Sequence, residues 1–315
     1  MTPKYRTITT GRIRFEGPDA PSFLHALVTN DVAGLAPGQG AYAAWLTPQG
    51  RMITDLRLLR EDGRVLAEVP EGMSAALAAR FDQLIFSEQL QVIDDTGGTR
   101  AIAVFGDGAA GVVAAVTGVP GGSLASLPLL GHLCSGDVRV VRIDDVAGEN
   151  FAIWMPASRW ESVMAALAPA GASEAPAELV NALRVEAGRP LFGVDMNTET
   201  IPLEAGLLDR AISTAKGCYV GQEVIVRILH RGGGRVVKRL VQMRADAGVT
   251  QVPAPGTPVL DQGREVGAVT SAAIGPASGR VLALATVHRD SAEPGRQLTV
   301  GDGPPMTVVL PSDVL

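Results

Sequence analysis

Two cysteines in 315 residues, Cys134 and Cys218, are too few for a disulfide framework, and neither belongs to a CxxC pair. The four histidines, His25, His132, His230 and His288, are equally scattered. A zinc or iron-sulfur site held by this chain alone needs about four soft or nitrogen ligands at close spacing, so no metal-ligating set is assigned. No apolar run approaches the roughly 20 residues of a membrane span. The opening "MTPKYRTITTGRIRFEGPD" has no apolar stretch followed by a small-residue cleavage site, and the expectation is a cytoplasmic protein. Neither G-x-x-x-x-G-K-[ST] nor a G-x-G-x-x-G between strand and helix occurs, which removes the two common phosphate cradles.

What is present is a chain with 46% hydrophobic and 19% charged residues, able to bury more than one core. "DAPSFLHALV" reads as a helix with Asp19 as N-cap and Pro21 in its first turn. "AYAAWL", "RMITDLRLL" and "RVLAEV" form an antiparallel meander with turns at "TPQG" and Asp62-Gly63. "GMSAALAARFDQL" is helical by Met73, Leu77, Phe81 and Leu84, and strands "QLQVI" and "RAIAVFG" follow. Between Gly106 and Gly136 one helix, "AAGVVAAVT", and then a loop are expected; "VRVVRID" and "FAIWMP" are strands. "SRWESVMAALA" carries Ser158 and Glu161 in a capping-box arrangement. "PAELVNALRVEAG" is a helix stopped by Gly188. Beyond Arg235 short β-rich runs separated by Gly and Pro indicate a small barrel or sandwich. The division is 1–234, an α+β region of two subdomains, and 235–315, a β-barrel, with the boundary near the glycine run 232–234.

The net charge of −6 disfavours nucleic acid as a partner of the whole surface. Locally, Lys216, Arg227, Arg231, Arg235, Lys238, Arg239 and Arg244 face only Glu223 in sequence. That stretch is either a solvated basic face or a site for carboxylates, phosphates or RNA. It opens with "KGCYVGQE". A helix expected from about Gly221 places Cys218 just before its N-terminus and beside Lys216, where a thiolate is favoured. The alternative is that Cys218 is a small apolar filler. Glu186, in the last turn of its helix, opposes the macrodipole. Either Arg184 and Arg189 neutralise it, or it awaits the hydrogen-bond donors of a ligand. The pairs Asp94-Asp95 and Asp144-Asp145 read as turn residues, and Asp195, Asn197, Glu199 and Glu204 lie along a recognition-type loop.

"KGCYVGQE" with Arg227 and Arg231 resembles the YgfZ family of folate-binding proteins, relatives of the glycine-cleavage T-protein, the aminomethyltransferase. "FLHALVTNDV", "YAAWLTPQGRMITDLRLLR", "LRVEAGRPLFGVD" and "IPLEAGL" fit the same superfamily. The resemblance implies an aminomethyltransferase-like α+β fold in three parts around a central channel, a C-terminal barrel being the third. It implies tetrahydrofolate or a one-carbon derivative as cofactor and iron-sulfur client or assembly proteins as partners. By that likeness Cys218 and Lys216 are catalytic. Glu186 pairs with the pterin, and Asn30, Tyr219, Gly221, Gln222, Glu223, Arg227 and Arg231 bind folate. The function implied is that of a tetrahydrofolate-binding accessory protein for iron-sulfur enzymes. The alternative is a tetrahydrofolate-dependent aminomethyl- or methyltransferase using Asp95 as its proton-handling group, and a weaker one is an RNA-binding factor.

Overall fold

A computed structural model of the chain describes every residue except 231, 232, 234 and 311–315. Arg231 and most of the expected boundary run 232–234 therefore lie outside the described residues. The chain opens with β1 (Lys4–Ile8), β2 (Gly11–Glu16) and helix α1 (Ala20–Leu27). The meander follows as β3 (Gly40–Leu46), β4 (Met52–Glu61) and β5 (Arg64–Val69), then α2 (Ser74–Asp82) and β6 (Gln91–Asp94). Five of these strands make an antiparallel sheet in the order β3-β4-β5-β2-β6. Leu77 and Phe81, one turn apart on α2, fall on the face that covers this sheet. The Phe81 ring stacks on Trp45 with centroids 4.0 Å apart and meets Phe15 edge-on at 5.0 Å.

A second sheet comes from β7 (Thr99–Phe105), β8 (His132–Ser135), β9 (Val138–Arg142), β10 (Asn150–Pro156) and β11 (Ser173–Glu174), in the order β11-β1-β7-β10-β9-β8. The first strand of the chain thus crosses into the second sheet. Helices α3 (Ala109–Thr117), α4 (Gly121–Ala125) and α5 (Trp160–Leu167) lie in this half. The stretch expected to hold one helix and a loop also contains α4 and β8. The Ser158 capping box does not form, because a 3-10 turn over Ala157–Arg159 moves the start of α5 to Trp160. Asp19 sits at the N-cap of α1 without capping it; its carboxylate accepts the Gln89 N–H at 2.7 Å instead.

The two sheets face each other through Leu59, Leu66, Phe105, Val141 and Trp154, against which Leu179, Val180 and Leu183 of α6 (Ala177–Glu186) pack. Helix α6 ends in a Schellman motif. Gly188 adopts φ +64°, its N–H bonds to the Val185 carbonyl, and Arg189 N–H returns to that of Arg184 at 3.0 Å. After α7 (Leu208–Ala211) and α8 (Gln222–His230), β12 (Lys238–Ala245), β13 (Pro258–Asp261), β14 (Arg264–Ile274), β15 (Val281–His288), β16 (Gln297–Val300) and β17 (Pro305–Val309) close into a barrel. Val185 of α6 packs on Leu282, Leu284 and Val309 of that barrel. Among the described residues no helix is long and apolar enough to cross a membrane.

Candidate functional site

A cavity of about 800 Å³ opens between the two sheets, with walls from β1, β4, β5, α6 and the segments after β9 and α6. Leu56, Val69, Met73, Val146, Val180 and Phe192 supply apolar surface, and the polar groups form ion pairs. Arg57 donates to Asp145 and, at 3.4 Å, to Glu68. Arg6 reaches Asp145 at 2.7 Å, while Arg210 and Arg189 reach Asp144 at 2.8 and 3.0 Å. The Schellman turn at Gly188 is what delivers Arg189 to this place. Asp144 and Asp145 lie in the connection between β9 and β10, as expected of turn residues, and they are also the acidic centre of the cavity, each answering a different pair of arginines.

The alternation of β4 places Asp55 and Arg57 on one face while Leu56 and Leu58 enter the first core. Pairing with β3 sets Tyr42 opposite Arg57 and diagonal to Asp55, and the Tyr42 hydroxyl donates to Asp55 at 2.6 Å. Burial pushes the Asp55 pKa above the ordinary aspartate value, against the Tyr42 hydrogen bond and the positive charge of Arg57. Burial and the adjoining carboxylate raise the Tyr42 phenol too, so it stays a donor. Asp145 goes the other way: burial raises its pKa, but Arg57 and Arg6 outweigh it and hold the carboxylate below the usual range. Glu68 is 5% exposed; its Oε1 accepts from Thr10 at 2.8 Å, and its Oε2 has no partner among the described residues.

A second cavity of about 420 Å³ adjoins the first. Tyr42, Arg57, Asp144 and Arg210 line both and form the septum between them. Asn30, expected to touch folate, lines the second cavity, but its side-chain amide is already spent on the carbonyls of Tyr42 at 2.8 Å and Arg210 at 3.4 Å.

Lys216, Cys218, Tyr219, Gly221, Gln222, Glu223 and Arg227 line neither cavity. Cys218 is exposed. Lys216 does not serve it: the ammonium donates to the carbonyls of His25, of Val28 at 2.6 Å and of Asn30 at 3.2 Å. Burial lowers the Lys216 pKa to about 8, with Asp31 opposing. Gln222 caps its own turn, its Oε1 accepting the Tyr219 N–H at 3.0 Å. Gly221 (φ +84°) is required by contact, since a Cβ there would lie 2.5 Å from the Thr47 carbonyl oxygen; one on Gly50 would lie 2.7 Å from Val224 Cβ. The "TPQG" turn and "KGCYVGQE" are thus two sides of one close packing. Glu223 and Arg227 are exposed.

Glu186 is 2% exposed and is not among the cavity-lining residues. Its carboxylate accepts the N–H groups of Ala277 at 3.1 Å and Ser278 at 2.8 Å, in the β14–β15 turn. Neither expected arginine pairs with it, Arg184 being on Asp195 at 2.6 Å and Arg189 on Asp144. Asp195 itself is a buried junction that also accepts from Thr270 and Ser271 of β14, each at 2.6 Å. Asp95 lines neither cavity and lies 3.8 Å from Arg14. The aspartate with a raised pKa on the wall of the larger cavity is Asp55, and its signal in the sequence is a charged pair two apart, Asp55 and Arg57, in an otherwise apolar strand.

Residues 7–216 match the GCVT N-terminal domain, and 238–310 match the glycine cleavage T-protein C-terminal barrel domain. The chain belongs to the glycine cleavage T-protein family. It is similar to the aminomethyltransferase of Saccharopolyspora erythraea, 32% identical over 318 residues, with 95% of this chain and 83% of that protein covered. It is 28% identical over 305 residues to that of Rubrobacter xylanophilus, covering 96% of this chain and 80% of that protein. Glycine cleavage system aminomethyltransferase T from Bartonella henselae shares the fold, with a TM-score of 0.87 and 23% identity over 98% of this chain and 85% of that one. Most of "KGCYVGQE" falls between the two family matches.

Proposed function

We propose that the larger cavity binds tetrahydrofolate and that the protein is a folate-dependent aminomethyl- or methyltransferase, with Asp55 as its proton-handling group. The observation that carries this reading is a half-buried carboxyl with a raised pKa, held by the Tyr42 hydroxyl on the wall of a ligand-sized cavity. The cavity suits a folate: apolar walls for a ring, and the carboxylate of Glu68 among its lining groups for the N–H groups of an aminopyrimidine edge. When bound, tetrahydrofolate supplies the nitrogen nucleophiles that receive the one-carbon unit. Asp55 then holds or releases a proton as the amine of the donor leaves, and the Tyr42 hydroxyl keeps the carboxyl oriented. Residues 1–234 form the folate-binding region on this reading, and 235–315 brace α6 through Glu186. Calorimetric titration with tetrahydrofolate tests it. Saturable binding weakened by Glu68→Gln is expected, and no binding to the wild type refutes it.

A second reading, that of the YgfZ-like accessory protein for iron-sulfur enzymes, keeps the cavity and assigns the chemistry to Cys218. It is favoured by the exposed thiol in a segment that the family matches leave mostly uncovered. If it holds, Cys218→Ala abolishes support of an iron-sulfur client in cells while Asp55→Asn does not.

A further inference from the structure

The ammonium of Lys216 lies between two parts of the chain that are remote in sequence. It donates to carbonyls at the C-terminal end of α1 and just beyond, those of His25, Val28 and Asn30. A helix end leaves its last carbonyls without intrahelical partners and carries partial negative charge, so a cation there is doubly favoured. Three N–H donors on one atom meet three carbonyls, which the planar fork of an arginine does not reproduce. Lys216 also sits 4.9 Å from the centre of the Tyr219 ring, three residues further along the segment that carries Cys218.

From there a continuous set of hydrogen bonds leads to the septum. The Ser213 hydroxyl accepts the Lys216 N–H at 3.2 Å, and the Ser213 N–H bonds to the Thr29 carbonyl at 3.1 Å. The Thr29 hydroxyl donates to Ala211 at 2.6 Å and accepts from the Ala44 N–H at 2.9 Å. Asn30, whose carbonyl Lys216 holds, donates to the carbonyls of Tyr42 and Arg210. Tyr42 in turn holds Asp55.

We propose that Lys216 is a positioning residue that ties the 213–221 strap to the end of α1 and thereby fixes Asn30, Tyr42 and Arg210 between the two cavities. It acts through Asn30, not on Cys218. The inference relies on the folate reading only for the probe used in its second measurement.

The test is amide hydrogen exchange at neutral pH on the full-length protein, wild type against Lys216→Met and Lys216→Arg, followed by tetrahydrofolate titration of the same samples. Loss of charge-assisted bonds predicts that Lys216→Met speeds exchange of the Thr29, Ala44 and Ser213 amides about tenfold or more, with the barrel amides unchanged. Lys216→Arg restores part of that protection. Tetrahydrofolate affinity falls severalfold in Lys216→Met. Unaltered exchange at those amides overturns the inference whatever the ligand does, whereas altered exchange with no binding to the wild type sinks the folate reading alone. Should Lys216→Met fail to fold, Asn30→Ala cuts the same path lower down: Ser213 stays protected and tetrahydrofolate affinity falls. Unchanged affinity in a wild type that binds would then overturn the proposal.

Discussion

Replacing Asp55 by Asn should make the protein more stable at neutral pH while removing its chemistry. The carboxyl is half-buried on the cavity wall, and its desolvation there raises its pKa above the unfolded value of 3.8 despite Tyr42 and Arg57. The folded protein therefore binds more protons than the unfolded chain at any pH between the two values. Stability drawn from the protonated carboxyl is fully present below 3.8 and is lost as pH rises through the folded pKa. Asn cannot ionise, and its Oδ1 still accepts the Tyr42 hydroxyl. The stability difference between Asp55→Asn and wild type should hence be small near pH 3.8 and grow upward, by at most about 1.4 kcal/mol per pH unit for one proton, before levelling off. Urea unfolding at pH steps from 4 to 8 reads this as a widening gap in midpoint at constant slope. Parallel curves for the two proteins would show that Asp55 is not held in a strained ionisation state, and the choice of Asp55 as proton handler would lose its physical basis.

Arg57→Met leaves Asp145 with Arg6 alone and Glu68 without its ion-pair partner, so a loss of about 3–5 kcal/mol in urea unfolding is expected. Because Asp145 is held below the usual range, its contribution should fade as pH falls through that lowered value, and Asp145→Asn should flatten this acid limb. Gly221→Ala forces a Cβ to within 2.5 Å of Thr47 at φ +84°, costing roughly 1–2 kcal/mol for the backbone alone plus a displaced turn; thermal unfolding measures it. Glu186→Ala strips the acceptor from two amides and should cost about 2–3 kcal/mol with tetrahydrofolate affinity unchanged, whereas a large loss of affinity would return Glu186 to the pterin.

The elements most legible in the sequence were those set by local pattern. The β3–β5 meander, α6 with its Gly188 stop and the barrel beyond Arg235 follow from period, turn residues and glycine placement. The site was less legible, because its residues are brought together by tertiary pairing. Asp144 and Asp145 look like a turn until arginines from β1, β4, α7 and the segment after α6 are folded around them. Lys216 and Cys218 invite pairing by adjacency, yet the lysine finds its partners at the end of α1 and just beyond it, nearly two hundred residues earlier. Glu186 presents a real anomaly in the sequence, a carboxylate at a helix C-terminus. What answers it is a pair of barrel amides that no spacing rule could have joined to it. Asp55 carried a readable signal, a charged residue on the inward face of an apolar strand, but its weight depends on the cavity beside it.

The most direct test of the account is turnover. The purified protein is incubated with tetrahydrofolate and an aminomethyl donor, and formation of methylene-tetrahydrofolate is followed for wild type, Asp55→Asn and Cys218→Ala. The account predicts product with the wild type and with Cys218→Ala, and a rate lower by about 100-fold or more with Asp55→Asn. No product from the wild type, or an undiminished rate with Asp55→Asn, would contradict it.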